Sequence, residues 1–261
     1  GSEMCIRDRS YPERLKHIDS PPKRLFVKGK LPDASKLSVA VVGARNCTPY
    51  GRDMARMFSY RLAAAGVFVI SGMALGIDGW GHQGALEAGG ETYAVLGSGV
   101  MRCYPSCHQN LYESIVRHGG VISEFPVYAR AKPVFFPMRN RIISGLSDGI
   151  LVVEAREKSG SLITADAALE QGKDVFVIPG RIGDELSVGC NRLIRMGAVP
   201  VLTPDDILDY YGVKTSDGSR NVNETEQKIL AFLGGKTMHM DEISAGLSLP
   251  MTQLLKCMIV L

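Results

Sequence analysis

Phe135-Phe136-Pro137-Met138-Arg139-Asn140-Arg141 sets two aromatic rings, two arginines and an amide within seven residues, with Lys132 three positions ahead of the first ring. Rings such as Phe136 beside cations such as Lys132 can stack on unpaired bases while the cations neutralise a phosphate backbone. Gly43-Ala44-Arg45 ends an apolar run and offers related chemistry. A dinucleotide fingerprint would need glycine where Arg45 stands, so a nicotinamide site is not expected. Arg45 instead presents a planar fork suited to a phosphate or to the face of a base. Ser71-Gly72 and Ser159-Gly160-Ser161-Leu162-Ile163-Thr164 put small and hydroxyl residues just ahead of helical stretches. Backbone N–H groups and the helix dipole at such turns favour an anion. Gly43, Ala44, Ser71, Gly72 and Gly160 are therefore the expected phosphate-cradling positions. Asp78 reads as a helix-capping residue. His82, with no serine or cysteine nucleophile beside it, reads as a packed histidine rather than a base.

These turns need a scaffold that brings them to one edge. From Ser38 to Val201 one unit recurs: a short apolar run, a glycine-rich turn, then a helical pattern. The runs fall at 39–42, 67–70, 93–96, 121–122, 150–153, 175–178 and 199–202, and their continuous apolar character suits strands covered on both faces. Helices are expected at 52–65, 78–88, 109–118, 141–146, 163–171 and 191–196, with Gly66, Gly89 and Gly172 at C-terminal caps. Alternating units of this kind predict an α/β fold with a doubly wound, mostly parallel sheet, whose strand-to-helix turns share the carboxyl edge where ligands bind. Residues 1–37 read as a mildly basic lead-in, with the first ten left out of the fold reading, 38–211 as the main domain and 212–223 as a polar linker. Short helices at 224–233, 240–245 and 251–261 suggest a small helical module resembling an incomplete winged helix.

The ordered motifs Val-Gly-Ala-Arg, Ser-Gly-Met-Ala-Leu-Gly-Ile-Asp, Tyr-Pro, Ser-Glu-Phe-Pro, Phe-Pro-Met-Arg-Asn-Arg-Ile-Ile-Ser-Gly-Leu, Gly-Ser-Leu-Ile-Thr-Ala and Gly-Cys-Asn-Arg-Leu-Ile resemble the DprA/Smf DNA-processing family from about Leu25 to Tyr211. The resemblance implies a Rossmann-like domain that binds single-stranded DNA, usually forms homodimers and helps load the RecA recombinase during natural transformation. The sequence shows no Ser–His–Asp constellation, complete Walker loop or metal spacing, so neither catalysis nor a cofactor is expected. It assigns DNA-binding roles to Arg45, Arg139, Asn140, Arg141, Ser161 and Thr164. After Tyr104-Pro105 the family commonly carries a lysine, whereas here Ser106, Cys107 and His108 follow. One backbone contact is thereby in question.

Composition sets bounds on these readings. With 45% hydrophobic and 22% charged residues the chain suits a globular domain. No run approaches the roughly 18 apolar residues of a membrane span. Six scattered cysteines form no paired framework, which points to reduced thiols and a cytosolic setting. Cys103, Cys107 and His108 lack a second pair at zinc spacing, so no metal is expected. A net charge of only +3 means that any basic surface is local. A nucleotide sensor using the same pocket is an alternative. So is a nucleotide phosphoribohydrolase-like enzyme with Glu154 as the acid beside Arg139 and Ser161, although those enzymes carry Pro-Gly-Gly-x-Gly-Thr where this chain has Ser-Gly-Ser-Leu-Ile-Thr.

Overall fold

Every residue of Ser38–Val42, Phe68–Ser71, Thr92–Val95, Gly120–Ser123 and Gly149–Val152 is buried. Strands of that kind require cover on both faces. A computed structural model, which describes residues 4–6, 11–213, 229, 232, 240–247 and 249–250, supplies that cover with helices on either side. The elements run β1 (Met4–Ile6), β2 (Leu25–Gly29), β3 (Ser38–Val42), α1 (Pro49–Ala64), β4 (Phe68–Ser71), α2 (Ile77–Glu87), β5 (Thr92–Val95), α3 (Gln109–His118) and β6 (Gly120–Ser123). There follow α4 (Phe135–Leu146), β7 (Gly149–Val152), α5 (Gly160–Glu170), β8 (Asp174–Val177), α6 (Val188–Arg195), β9 (Val199–Pro200) and α7 (Pro204–Tyr210).

The strands form one sheet in the order β1-β2-β6-β5-β4-β3-β7-β8-β9. Neighbours from β6 to β9 are parallel, while β2 lies antiparallel to β6 and β1 to β2. Successive side chains point to opposite faces, and this alternation divides the core. Ala40, Val42, Ile150, Val152, Val175 and Val177 face Ile142 of α4, Ala165 of α5 and Leu193 of α6. Val39, Val41, Leu151, Val153, Phe176 and Ile178 face Phe58 and Leu62 of α1, Ile77 of α2 and Ile207 of α7. The fold is thus the expected doubly wound α/β sheet. The chain leaves β3 through α1 on one face, and its neighbour β7 leads to α5 on the other. A crevice opens where the two directions part, at the carboxyl ends of β3 and β7.

Several boundaries differ from expectation for local reasons. Residues 11–37 are not a separate lead-in. Leu15 and Ile18 are buried, a Cβ on Gly145 would lie 2.7 Å from Leu15, and β2 pairs with β6. The alternating burial of Leu25 and Val27 marks this outer strand. Helix α1 starts at Pro49 because Thr48 caps it, accepting the Gly51 N–H at 3.0 Å. Helix α4 starts at Phe135 rather than 141, which takes Arg139 and Asn140 out of a loop and into a helix. Helix α7, not anticipated, starts at Pro204, where the Asp206 carboxylate accepts the Leu202 and Thr203 N–H groups at 2.6 and 2.8 Å. The expected caps Gly66, Gly89 and Gly172 have φ of 82°, 71° and 65°.

A second unit spans residues 214–261. It contains α8 (Met240–Leu247), which matches the helix expected at 240–245. Of the helix expected at 224–233, Ile229 and Phe232 are helical; its other residues, the segment 251–261 and the linker from 214 lie outside the described residues. Among the described residues no helix is long and apolar enough to cross a membrane.

Candidate nucleic-acid interface

Arg139 points from α4 into the sheet edge and is only 4% exposed. Its Nη1 donates to the Gly72 carbonyl at 2.8 Å and also to the Val95 carbonyl, and its Nε donates to Asn140 Oδ1 at 3.2 Å. The Gly72 N–H donates in turn to the Asp78 carboxylate at 3.1 Å. Burial raises the Asp78 carboxyl above its ordinary range, and the positive charge of Arg139 opposes that shift. Burial also lowers Arg139, to about 10, which leaves it charged at neutral pH. A Cβ on Gly72 would collide with the guanidinium, so this close approach requires glycine. Arg139 thereby ties α4 to the ends of β4 and β5.

Beside this brace lies a cleft of about 530 Å³ at the switch point of the sheet. Its walls come from the β3–α1 turn (Gly43, Ala44, Arg45, Asn46), from α4 (Phe136, Arg139, Asn140), and from the start of α5 with the turn before it (Arg156, Lys158, Ser159, Gly160, Ser161, Thr164). Tyr104 reaches in from the loop after β5. The Arg45 guanidinium lies 5.1 Å from the centroid of the Phe136 ring, and the Tyr104 ring lies 5.5 Å from it on centroids. Ser159 caps α5 and shares a 2.7 Å hydroxyl contact with Ser161, so the positive end of that helix faces the cleft. Arg156 pairs with Glu185 at 3.3 Å. Arg45 and Lys158 are exposed and have no ion-pair partner among the described residues. The cleft therefore offers free cations, an aromatic face and a helix N-terminus, with Asp78 as its one acidic lining residue among those described. That suits a polyanion with flat apolar parts.

A family profile described as "DNA recombination-mediator protein A" matches residues 2–212. The chain belongs to this family. Protein Smf of Escherichia coli is 46% identical over 200 residues, 76% of this chain and 54% of that protein, so the chain spans about half of its length. DNA processing protein DprA of Bacillus subtilis is 40% identical over 222 residues, 85% of this chain and 73% of its own. Among solved structures, DprA of Streptococcus pneumoniae superposes with a TM-score of 0.75 at 40% identity, covering 80% of this chain and 73% of that one. DprA of Helicobacter pylori, a protein described as having a unique single-stranded DNA binding mode, superposes with a TM-score of 0.74 at 27% identity, covering 80% of this chain and 95% of that one.

In this family member the cleft gathers Arg45, Phe136, Arg139, Asn140, Ser161 and Thr164 from the expected contacts, and Gly43, Ala44 and Gly160 from the expected cradles. It does not gather Lys132, whose ammonium lies 5.6 Å from the Phe135 ring centroid. Nor does it gather Arg141, which grips both oxygens of Glu124 at 2.7 Å and donates to the Ser20 carbonyl at 3.0 Å. Three cradle positions need correction, because internal partners already hold them. The Ala44 N–H donates to the Glu154 carbonyl at 2.8 Å, the Ser71 hydroxyl donates to the Val41 carbonyl at 2.6 Å, and the Gly72 N–H is held by Asp78. The anion that the Ser71-Gly72 turn cradles is the chain's own carboxylate.

Sequence reasoning missed Arg156, Lys158 and Tyr104. The first two carried a usable signal, since they stand just before a hydroxyl-capped helix start, where cations add to the helix dipole. Tyr104 stood in the Tyr-Pro motif, but nothing local gave it a place in the cleft, because only the fold brings it beside Phe136.

Proposed function

We propose that this chain binds single-stranded DNA in the cleft between β3, α4 and α5, without catalysis. In this reading it is a cytosolic homodimer that holds incoming strands and helps load a RecA-type recombinase in transformation. One observation carries the reading: Arg45 and Lys158, exposed and without ion-pair partners among the described residues, line one cleft together with an aromatic pair, Phe136 and Tyr104. Cations follow a phosphate backbone, and rings take bases that pairing has not hidden. Membership of a recombination-mediator family supports the same ligand, as does the single-stranded DNA binding described for the Helicobacter pylori protein.

The chemistry around the cleft favours binding over hydrolysis. The Glu154 carboxylate accepts the Thr48 N–H at 2.9 Å and the Thr48 hydroxyl at 2.5 Å, which commits it to the start of α1 rather than to the cleft. His82 is buried with its Nδ1 on Thr92 at 2.7 Å. Neither is presented to a bound nucleotide as an acid or a base.

Competition against a fluorescently labelled single strand, followed by anisotropy, tests the reading. Unlabelled single strand should displace the probe, while equal nucleotide concentrations of duplex or mononucleotide should not. Displacement by a mononucleotide at low concentration would replace this reading with a nucleotide-sensing pocket.

A further inference from the structure

The Phe136 ring, the obvious place for a base to stack, is already in use. The Arg45 guanidinium lies over it at 5.1 Å, and it packs so closely on Gly97 that a Cβ there would stand 2.8 Å from the ring. Tyr104 meets it at 5.5 Å with the planes inclined by 39°. Tyr104 itself lines the cleft, keeps Phe136 on one side and is 50% exposed, which leaves it available to a further flat partner.

The loop that carries Tyr104 is held in place on several sides. The Ser98 hydroxyl donates to the Arg102 carbonyl at 2.8 Å, and the Met101 N–H donates to the Val127 carbonyl at 3.0 Å. The Cys103 thiol donates to the Pro105 carbonyl at 3.3 Å, and the His108 N–H donates to the same carbonyl at 3.1 Å. An aromatic side chain on a braced loop loses little freedom when a flat partner stacks on it. We infer that Tyr104 is the residue on which a base of the bound strand stacks, with Phe136 acting as the support beneath it and Arg45 as the neighbouring phosphate contact. The inference rests on the single-strand reading above and adds to it the side chain that takes the base. Stacking on a ring tolerates any base, so Tyr104 contributes affinity for unpaired strands without sequence preference.

The test uses an oligothymidylate carrying one 2-aminopurine, whose fluorescence is quenched when the base stacks. The full chain should quench it on binding. Tyr104→Leu should lose the quenching and bind about tenfold more weakly, in line with the contribution of one base–aromatic stack. Tyr104→Phe, which keeps the ring, should restore both. Tyr104 is half exposed, so Tyr104→Leu should keep the thermal unfolding midpoint of the unaltered chain, which checks that the variant remains folded. Unchanged quenching and affinity in Tyr104→Leu, with the 2-aminopurine placed at each position in turn, would overturn the inference and leave the single-strand reading intact. Failure of the unaltered chain to bind the oligonucleotide at all would overturn both.

Discussion

Arg139 and Asp78 hold Gly72 from its two sides: the arginine takes the carbonyl at 2.8 Å, and the carboxylate takes the N–H at 3.1 Å. Both side chains are buried, at 4% and 7% exposure, so neither faces solvent as a free charge. The arginine of the Arg-Asn-Arg segment thus fixes the shape of the cleft wall. Asn140, next to it, links the same brace to α5 by donating to the Gly160 carbonyl at 3.2 Å.

Arg139→Met is expected to destabilise the chain by about 3 kcal/mol, because it leaves the Gly72 and Val95 carbonyls unpaired and the Asp78 charge uncompensated. Arg139→Met combined with Asp78→Asn should recover part of that loss. Urea unfolding of the two variants checks this. Equal loss in the single and the double variant would mean that the two side chains do not act together.

His82 sets a pH dependence. Burial pushes its imidazole down to about 3, with His108 and Arg139 adding to the shift. The Thr92 hydroxyl donates to the Val69 carbonyl, so it accepts the Nδ1 proton of a neutral ring, and Nε2 has no partner among the described residues. The folded value lies below the unfolded one, so the unfolded chain takes up the proton first. Stability from this group is therefore complete above about pH 6.5 and is lost as the pH falls toward 3. Between pH 6.5 and 4.5 that loss amounts to roughly 2 kcal/mol. Denaturant midpoints measured across this range should fall less steeply in His82→Leu than in the unaltered chain.

Arg141→Ala should lower stability by about 1–2 kcal/mol, since it breaks a bidentate pair with the largely shielded Glu124. Its effect on strand affinity should stay within about twofold, because the guanidinium lies outside the cleft. Parallel unfolding and anisotropy titrations separate the two effects. A large loss of affinity with unchanged stability would move Arg141 into the binding surface.

The contrast between Arg45 and Arg141 shows what the sequence carried and what it did not. Central strands such as Ser38–Val42 were legible because a run buried on both faces is apolar at every position but its first. The β3–α1 turn was legible for the same reason: it follows such a run and opens a helix. Helix starts came out late wherever the cap lay before the apolar pattern, as with Thr48 and Ser159. Strand β2 was missed because it is five residues long inside a basic segment and alternates in burial but not in residue type, with Leu25, Phe26 and Val27 all apolar. The fate of Arg141 depended on Glu124, which is 17 residues away and meets it only across the fold. Gly72 was read as an open cradle although the carboxylate that fills it is six residues further on, because nothing local says which way Asp78 turns.

The most direct test of the cleft as the path of the strand is the salt dependence of single-strand affinity in Arg45→Ala, Lys158→Ala and the double variant. Each lost phosphate contact should make the log–log slope shallower by about 0.7, and the double variant by about 1.4. Slopes and affinities equal to those of the unaltered chain in all three would contradict the account, since the strand would then be held elsewhere on the surface.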